Sequence, residues 1–371
     1  MSTVPVAEVA ALLNDWNMEI KKDNADEAER LFIKAARTVK EMNDPDILMY
    51  YSLLEKRHHI LMYNLRGQKG DVTYESMKES QHEIKEEHMS NRLAYYFDFY
   101  EGVYEQHQGN YEVALQMYRS AERLLDKIPN EIERADFDFK VAWLYYRLSH
   151  LMLSLSYIRR ALNVYKRYAH YGKRTALSYS LIAANLTEMG RYEEALTDYQ
   201  LAEEVLVSEQ DEFMIAQHHH NVAILYSFWN KSKESIHHLK KALSHQEYYD
   251  SDFFFHSTYL ISRELCLIGE NSRASQYMDD AYARMTDDSH EIFRLKMGVI
   301  SDLYVSTNPQ RFQKIEKKLR KLEQRNEYHE VKELSRFVAN FFEKQVLYQQ
   351  AVFYLNKSLD ADLHMKRMGL M

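Results

Sequence analysis

The stretch Ala183-Ala184-Asn185-Leu186-Thr187-Glu188-Met189-Gly190-Arg191-Tyr192-Glu193-Glu194-Ala195-Leu196-Thr197-Asp198-Tyr199-Gln200-Leu201-Ala202 decides the fold of this chain. A small residue is followed twelve positions on by Ala or Ser, four later by a bulky apolar residue, and three later by Ala or Ser again. The pattern recurs at Gly102, Ala114, Tyr118 and Ala121, and at Ala142, Ser154, Ile158 and Ala161. It returns at Ala223, Ser235, Leu239 and Ala242, at Ser262, Ala274, Met278 and Ala281, and at Ala339, Ala351, Leu355 and Ser358. From Ala114 to Ala274 the second anchors lie 40, 41, 40 and 39 residues apart, and the 77 residues from Ala274 to Ala351 leave room for one degraded copy. A period near 40 with small residues where helices cross marks an array of helical hairpins, each hiding its apolar face against its neighbours.

Composition agrees. Among 371 residues there are 9 Gly and 4 Pro, against the roughly 26 and 18 of average usage, so tight turns are scarce and an all-α chain is expected. The single Cys266 excludes an internal disulfide framework and, with no signal-like leader, points to a reducing, cytoplasmic setting. Apolar runs fall short of the roughly 20 residues that span a bilayer. A net charge of −8 gives no general attraction to nucleic acid. Protein or peptide partners are expected, and neither membrane nor nucleic acid.

Ahead of the repeats, Val6, Val9, Leu13, Trp16 and Ile20 share one face of a first helix. Asp23 or Asn24 caps a second, about 25–42, with Ala28, Leu31, Phe32, Ala35 and Val39 inward. Asp44-Pro45-Asp46 opens a third, about 46–65, burying Ile47, Tyr50, Tyr51, Leu54 and Leu61. Residues 1–66 therefore read as a three-helix bundle, 67–91 as a linker and charged connecting helix after Gly67-Gln68-Lys69-Gly70, and 92–371 as a right-handed solenoid of about seven repeats.

Chemical motifs are few. Adjacent residues on a helix point about 100° apart, so His218-His219-His220, His58-His59 and His237-His238 cannot each converge on one ion, and no metal site is expected. The basic helix between Arg311 and Arg325 reads as a solvated face, and Cys266 as a buried small apolar residue. No phosphate-cradling Gly loop or nucleophile elbow occurs, and no cofactor is expected.

The repeat residues are those of tetratricopeptide arrays. A narrower likeness lies in Leu93-Ala94-Tyr95-Tyr96-Phe97-Asp98-Phe99-Tyr100-Glu101-Gly102-Val103-Tyr104-Glu105 and in Ile132-Glu133-Arg134-Ala135-Asp136-Phe137-Asp138-Phe139-Lys140-Val141-Ala142. With Leu13-Asn14-Asp15-Trp16 and Tyr50-Tyr51-Ser52-Leu53-Leu54-Glu55-Lys56-Arg57-His58, these resemble the Rap proteins of Bacillus-type bacteria. The resemblance implies an intracellular quorum-sensing regulator that binds and inhibits a response regulator through its bundle and first repeats. It implies inhibition in turn by a short imported Phr-type peptide held in the tetratricopeptide groove. Phosphatase members, which act in sporulation and competence pathways, carry a Gln at the start of the third helix; that position here is Pro45, which cannot orient an attacking water. The resemblance also places Leu48 and Lys56 on the regulator-binding surface. Sequestration of the regulator from DNA is therefore the favoured reading, with aspartyl-phosphate phosphatase, or a scaffold without a peptide switch, as alternatives.

Counting from each small position places Glu188 and Asn221 on the groove side. The resemblance gives Asn221 the peptide backbone, Glu188 a basic peptide side chain, and Arg263 an acidic group or the peptide carboxylate. Tyr146, His220 and Gln217 join them by helix facing alone.

Overall fold

The computed structural model describes residues 5–67, 91–285, 290–308 and 310–368. Among these every regular element is helical. The chain forms two compact units: Met1–Leu144 with Met152–Ile182 and Gln200–Met214, and Tyr145–Leu151 with Ala183–Tyr199 and Ile215–Met371.

In the first unit, α1 (Val6–Lys21), α2 (Ala25–Val39) and α3 (Pro45–Arg66) make the bundle. Trp16 is fully buried at its centre, with the rings of Phe32, Tyr51 and His58 within 6 Å, a burial that contributes about 2–3 kcal/mol. Asp44 caps α3 by accepting from the Asp46 and Ile47 amides, with Pro45 in the first turn, as its residue types require. Three expectations need correction. Val6, the first residue of α1, is exposed and burial begins only at Val9, and α2 ends at Val39 rather than near 42. Asn24 holds the N-cap position of α2 without a side-chain cap bond, since its amide donates to Glu19, and Asp23 is buried in a left-handed turn beside Arg174.

Helical pairs follow: α4 (Asn91–His107) with α5 (Tyr111–Leu125), α6 (Glu131–Arg147) with α7 (Leu151–Tyr165), and α8 (Gly172–Glu188) with α9 (Tyr192–Glu209). Then come α10 (Glu212–Phe228) with α11 (Ser232–Leu243), the short α12 (Gln246–Asp250), and α13 (Phe253–Leu267) with α14 (Asn271–Arg284). The last pairs are α15 (Glu291–Tyr304) with α16 (Arg311–Gln324) and α17 (Tyr328–Lys344) with α18 (Tyr348–Met368). The connecting helix expected at about 72–90 lies outside the described residues.

The small residues are small for a steric reason. A Cβ on Gly102 would stand 2.7 Å from the Tyr118 ring of its own pair, and relieving such overpacking costs about 1–3 kcal/mol. Direct contact across the crossing is visible where Ser235 Oγ donates to the Ala223 carbonyl at 2.9 Å, twelve residues apart. Seven residues after each small position the chain turns through a left-handed residue: Gly109, Ser149, Gly190, Asn230, Gly269 and Val346. The degraded copy is α15 with α16, where Leu303, Ile315 and Leu322 stand at the small positions and Leu319 keeps the bulky one, all buried. Leu355, expected as a core residue, is exposed, and Tyr354 turns inward in its stead.

Candidate functional site

In the second unit the first helix of each pair carries its polar residues on the side that meets the next first helix. His220 of α10 bonds Ser257 of α13 at 2.8 Å, and Ser227 of α10 donates to Glu264 of α13 at 2.5 Å. Arg263 of α13 donates to Ser227 at 2.6 Å and pairs with Glu333 of α17. Lys296 of α15 reaches Glu330 of α17 at 2.5 Å and lies over the Tyr259 ring. Lys332 of α17 then stands 3.8 Å from Glu188 of α8 and 2.9 Å from Asp362 of α18, and donates to Ser149 at 3.2 Å. The chain of contacts thus runs from α10 through α13 and α17 back to α8.

Electrostatics follow from burial and pairing. Burial raises the Glu188 carboxyl above its ordinary range, with Lys332 opposing. Glu330, although buried, is held down at about 2 by Lys296. Burial lowers His220 to about 3, and His256 and His329 to about 4, so all three are neutral near pH 7. Asn221 is half-buried on α10, and its amide has no hydrogen-bond partner among the described residues. An amide there can both donate to and accept from a ligand.

The sequence-derived candidates therefore divide. Glu188, Tyr146 and Arg263 share neighbours, since Glu188 and Glu333 both act on the Tyr146 phenol, whose proton burial holds tightly. His220, Gln217 and Asn221 lie on α10, half-buried. Arg263 is not a vacant anion receptor: its guanidinium is buried and already engaged by Glu333, Glu264 and Ser227. His329, Glu330 and Glu333 come close enough to hold an ion, but Lys296 and Arg263 already neutralise the two carboxylates.

In the first unit Pro45 and Leu48 are exposed one turn apart at the start of α3. Lys56, expected beside them, is corrected: it is buried, donates to Glu101 of α4 at 2.5 Å and lies over Tyr104. Its ammonium fastens α3 to α4, so it offers no surface to a partner.

Lys56 belongs to a larger set of contacts that sequence reading missed. Lys21 pairs with Glu133, which also accepts from Tyr96 at 2.7 Å. Arg57 pairs with Asp136, and Arg174 reaches Asp23 at 2.6 Å and donates to the Lys21 carbonyl at 3.0 Å. Asn17 bridges Tyr50 and Tyr100. Burial alone would push the Asp136 carboxyl up, but Arg57 and Arg174 hold it below its ordinary range. The bundle is thereby joined to α4, α6 and α8 through buried charges. The signal available in sequence was the placement of Glu133, Asp136 and Arg57 at helical spacings otherwise filled by core residues.

Comparison with known proteins supplies the family. Residues 3–63 match the family model for response regulator aspartate phosphatase H, N terminal, and residues 174–247 match a tetratricopeptide repeat. Regulatory protein RapG of Bacillus subtilis (strain 168) is 33% identical over 372 residues, covering 99% of either chain. The crystal structure of a Rap protein complexed with Competence and Sporulation Factor superimposes with TM-score 0.86 at 27% identity, over 98% of this chain and 100% of that one. The apo form of RapI gives 0.64 at 28% identity, over 97% and 98%. With a third of its residues identical along the full length of such a relative, this chain belongs to the Rap family.

Proposed function

We propose that this protein is an intracellular, peptide-controlled regulator that binds and inhibits a response regulator. A short Phr-type peptide held by the first helices of the second unit ends that inhibition. The supporting observation is the whole-chain likeness to a Rap protein complexed with Competence and Sporulation Factor, closer than the likeness to apo RapI although the identities are nearly equal. In this reading the conformation with the bundle fastened by buried charges is the one peptide favours, and the regulator favours another. Peptide and regulator then weaken each other's binding through differential affinity for two conformations.

Residues 1–66 are assigned to regulator binding and 92–371 to the peptide-holding array, with 67–91 joining them. Pro45 and Leu48 are the regulator-facing candidates. Asn221 takes the peptide backbone, and Glu188, once Lys332 is displaced, takes a basic peptide side chain. Inhibition proceeds by sequestration, because a pyrrolidine ring at position 45 has no amide with which to orient a water.

The experiment is a panel of phosphorylated response regulators, assayed with and without Phr-type peptides for phosphate loss and DNA binding. Lost DNA binding at unchanged phosphorylation supports the reading, and accelerated phosphate loss replaces it with the phosphatase alternative. Asn221→Ala is expected to abolish the peptide response while leaving regulator binding intact. A regulator-binding protein insensitive to every peptide would reduce it to a scaffold.

A further inference from the structure

Asp136 and Lys140 stand four residues apart on α6, a spacing at which opposite charges on a helix pair. Here they do not. Asp136 is taken by Arg57 of α3 and approached at 3.7 Å by Arg174 of α8, which also holds Asp23 at 2.6 Å. Lys140 forms no ion pair or hydrogen bond among the described residues. Its nitrogen stands 5.7 Å from the centre of the Phe139 ring, over which the Arg174 guanidinium also lies, at 4.9 Å.

The charges around this ammonium do not balance. Arg174 and Arg57 repel it, Asp136 and Asp23 attract it, and each carboxylate already answers one guanidinium. The charge of Lys140 is therefore in excess. His107 of α4, within reach of the same ammonium, is lowered by burial and by Lys140 and supplies no negative charge. Shedding a proton restores the balance: burial, with the two guanidiniums behind it, lowers Lys140 to about 7. Near neutral pH its free-amine fraction is about a thousand times that of an ordinary lysine. The side chain is only half-buried, which leaves the amine open to a small reagent.

We infer that Lys140 is a site of acylation by small acyl phosphates. The amine nitrogen attacks the carbonyl carbon and a C–N bond forms as the carbon–oxygen bond to phosphate breaks. Phosphate leaves with the electron pair of that bond and takes up the proton that nitrogen sheds. The surroundings favour this donor over an uncharged one, because the field of two guanidiniums draws a dianionic reagent. Arg57, 3% exposed, also keeps its Nη1 without an acceptor among the described residues, an unspent donor in the same set of charges. The product is a neutral amide, which leaves two guanidiniums facing two carboxylates. Carbon dioxide would instead give an anionic carbamate and add a third negative charge. Removing the excess cation also tightens the hold of α3 on α6 and α8.

Incubation of the full chain with acetyl phosphate, followed by proteolysis and quantitative peptide mass spectrometry, tests this. Lys140 should be acetylated at least about tenfold faster than the median lysine of the same chain, with a rate that rises through a midpoint near pH 7. With an uncharged acetyl ester the preference should shrink. Amides of α1 to α3 should exchange more slowly in the acetylated chain, and Lys140→Arg, which keeps the charge and removes the nucleophile, should show no such slowing under the same treatment. Acetylation of Lys140 at the rate of exposed lysines, or a midpoint in the ordinary lysine range, overturns the inference. An equal preference with the uncharged ester overturns the assignment to acyl phosphates, and unchanged exchange overturns the link to the bundle.

Discussion

Replacing Asp136 by Ala should loosen the bundle from α4, α6 and α8 while sparing the second unit. Asp136 is fully buried and pairs with Arg57, whose side chain is 3% exposed and forms no second salt bridge among the described residues, Glu133 acting on it only at longer range. Deleting the carboxylate strands that cation, at a cost of about 3–5 kcal/mol for a broken buried pair. The Tyr100 ring, 4.7 Å from the guanidinium, offsets about 1 kcal/mol, and Arg174 keeps Asp23. A net loss of about 3 kcal/mol corresponds to roughly two decades in the docking equilibrium. Hydrogen–deuterium exchange is the direct assay. Amides of α1 to α3 should exchange about a hundredfold faster, while α13 to α18 keep their rates. Because the fastened conformation is assigned to the peptide-bound state, the same variant should need more peptide to release a regulator. The double replacement Arg57→Met with Asp136→Leu removes both charges and should recover most of the loss. Unchanged exchange in the single variant, or a double variant as loose as the single, would refute the reasoning that these charges fasten the bundle.

Three further outcomes are expected. Pro45→Gln restores an amide at the exposed start of α3 and should confer measurable loss of phosphate from a cognate phosphorylated regulator, read by phosphate-affinity electrophoresis. His220, His256 and His329 are lowered in the folded state to about 3, 4 and 4; the unfolded chain therefore binds more protons below the ordinary histidine value, and stability present above pH 6.5 is lost as pH falls. Between pH 7.5 and 5.5 the loss should be about 2–4 kcal/mol, seen as a falling denaturation midpoint of the second unit, and a flat profile would contradict it. Val346 holds a left-handed φ of 60° while largely exposed, so Val346→Gly should stabilise the α17–α18 turn by about 1 kcal/mol in urea unfolding.

Gly102, Ala142 and Ala183 announced the helical crossings because the steric demand at a crossing falls on one residue type at one spacing, and Asp44-Pro45 announced the start of α3 because a cap is made within four residues. Those constraints are local, so the repeat, its turns and its helices were legible in the amino-acid order. The family likeness pointed to Glu188 and Asn221, and helix facing to Tyr146; in the structure Glu188 lies beside Lys332 and acts on the Tyr146 phenol, while Asn221 is half-buried on α10. What the order could not disclose was whether a polar side chain is spent. Lys56 and Arg263 have the chemistry of binding residues, yet Glu101 and Glu333 occupy them, partners 45 and 70 residues away. Leu355 has the chemistry of a core residue and stands exposed. Pattern and propensity act along the chain over a few residues; the pairing of buried charges and the covering of an apolar face depend on which helices the finished packing brings together, and only the tertiary structure decides that.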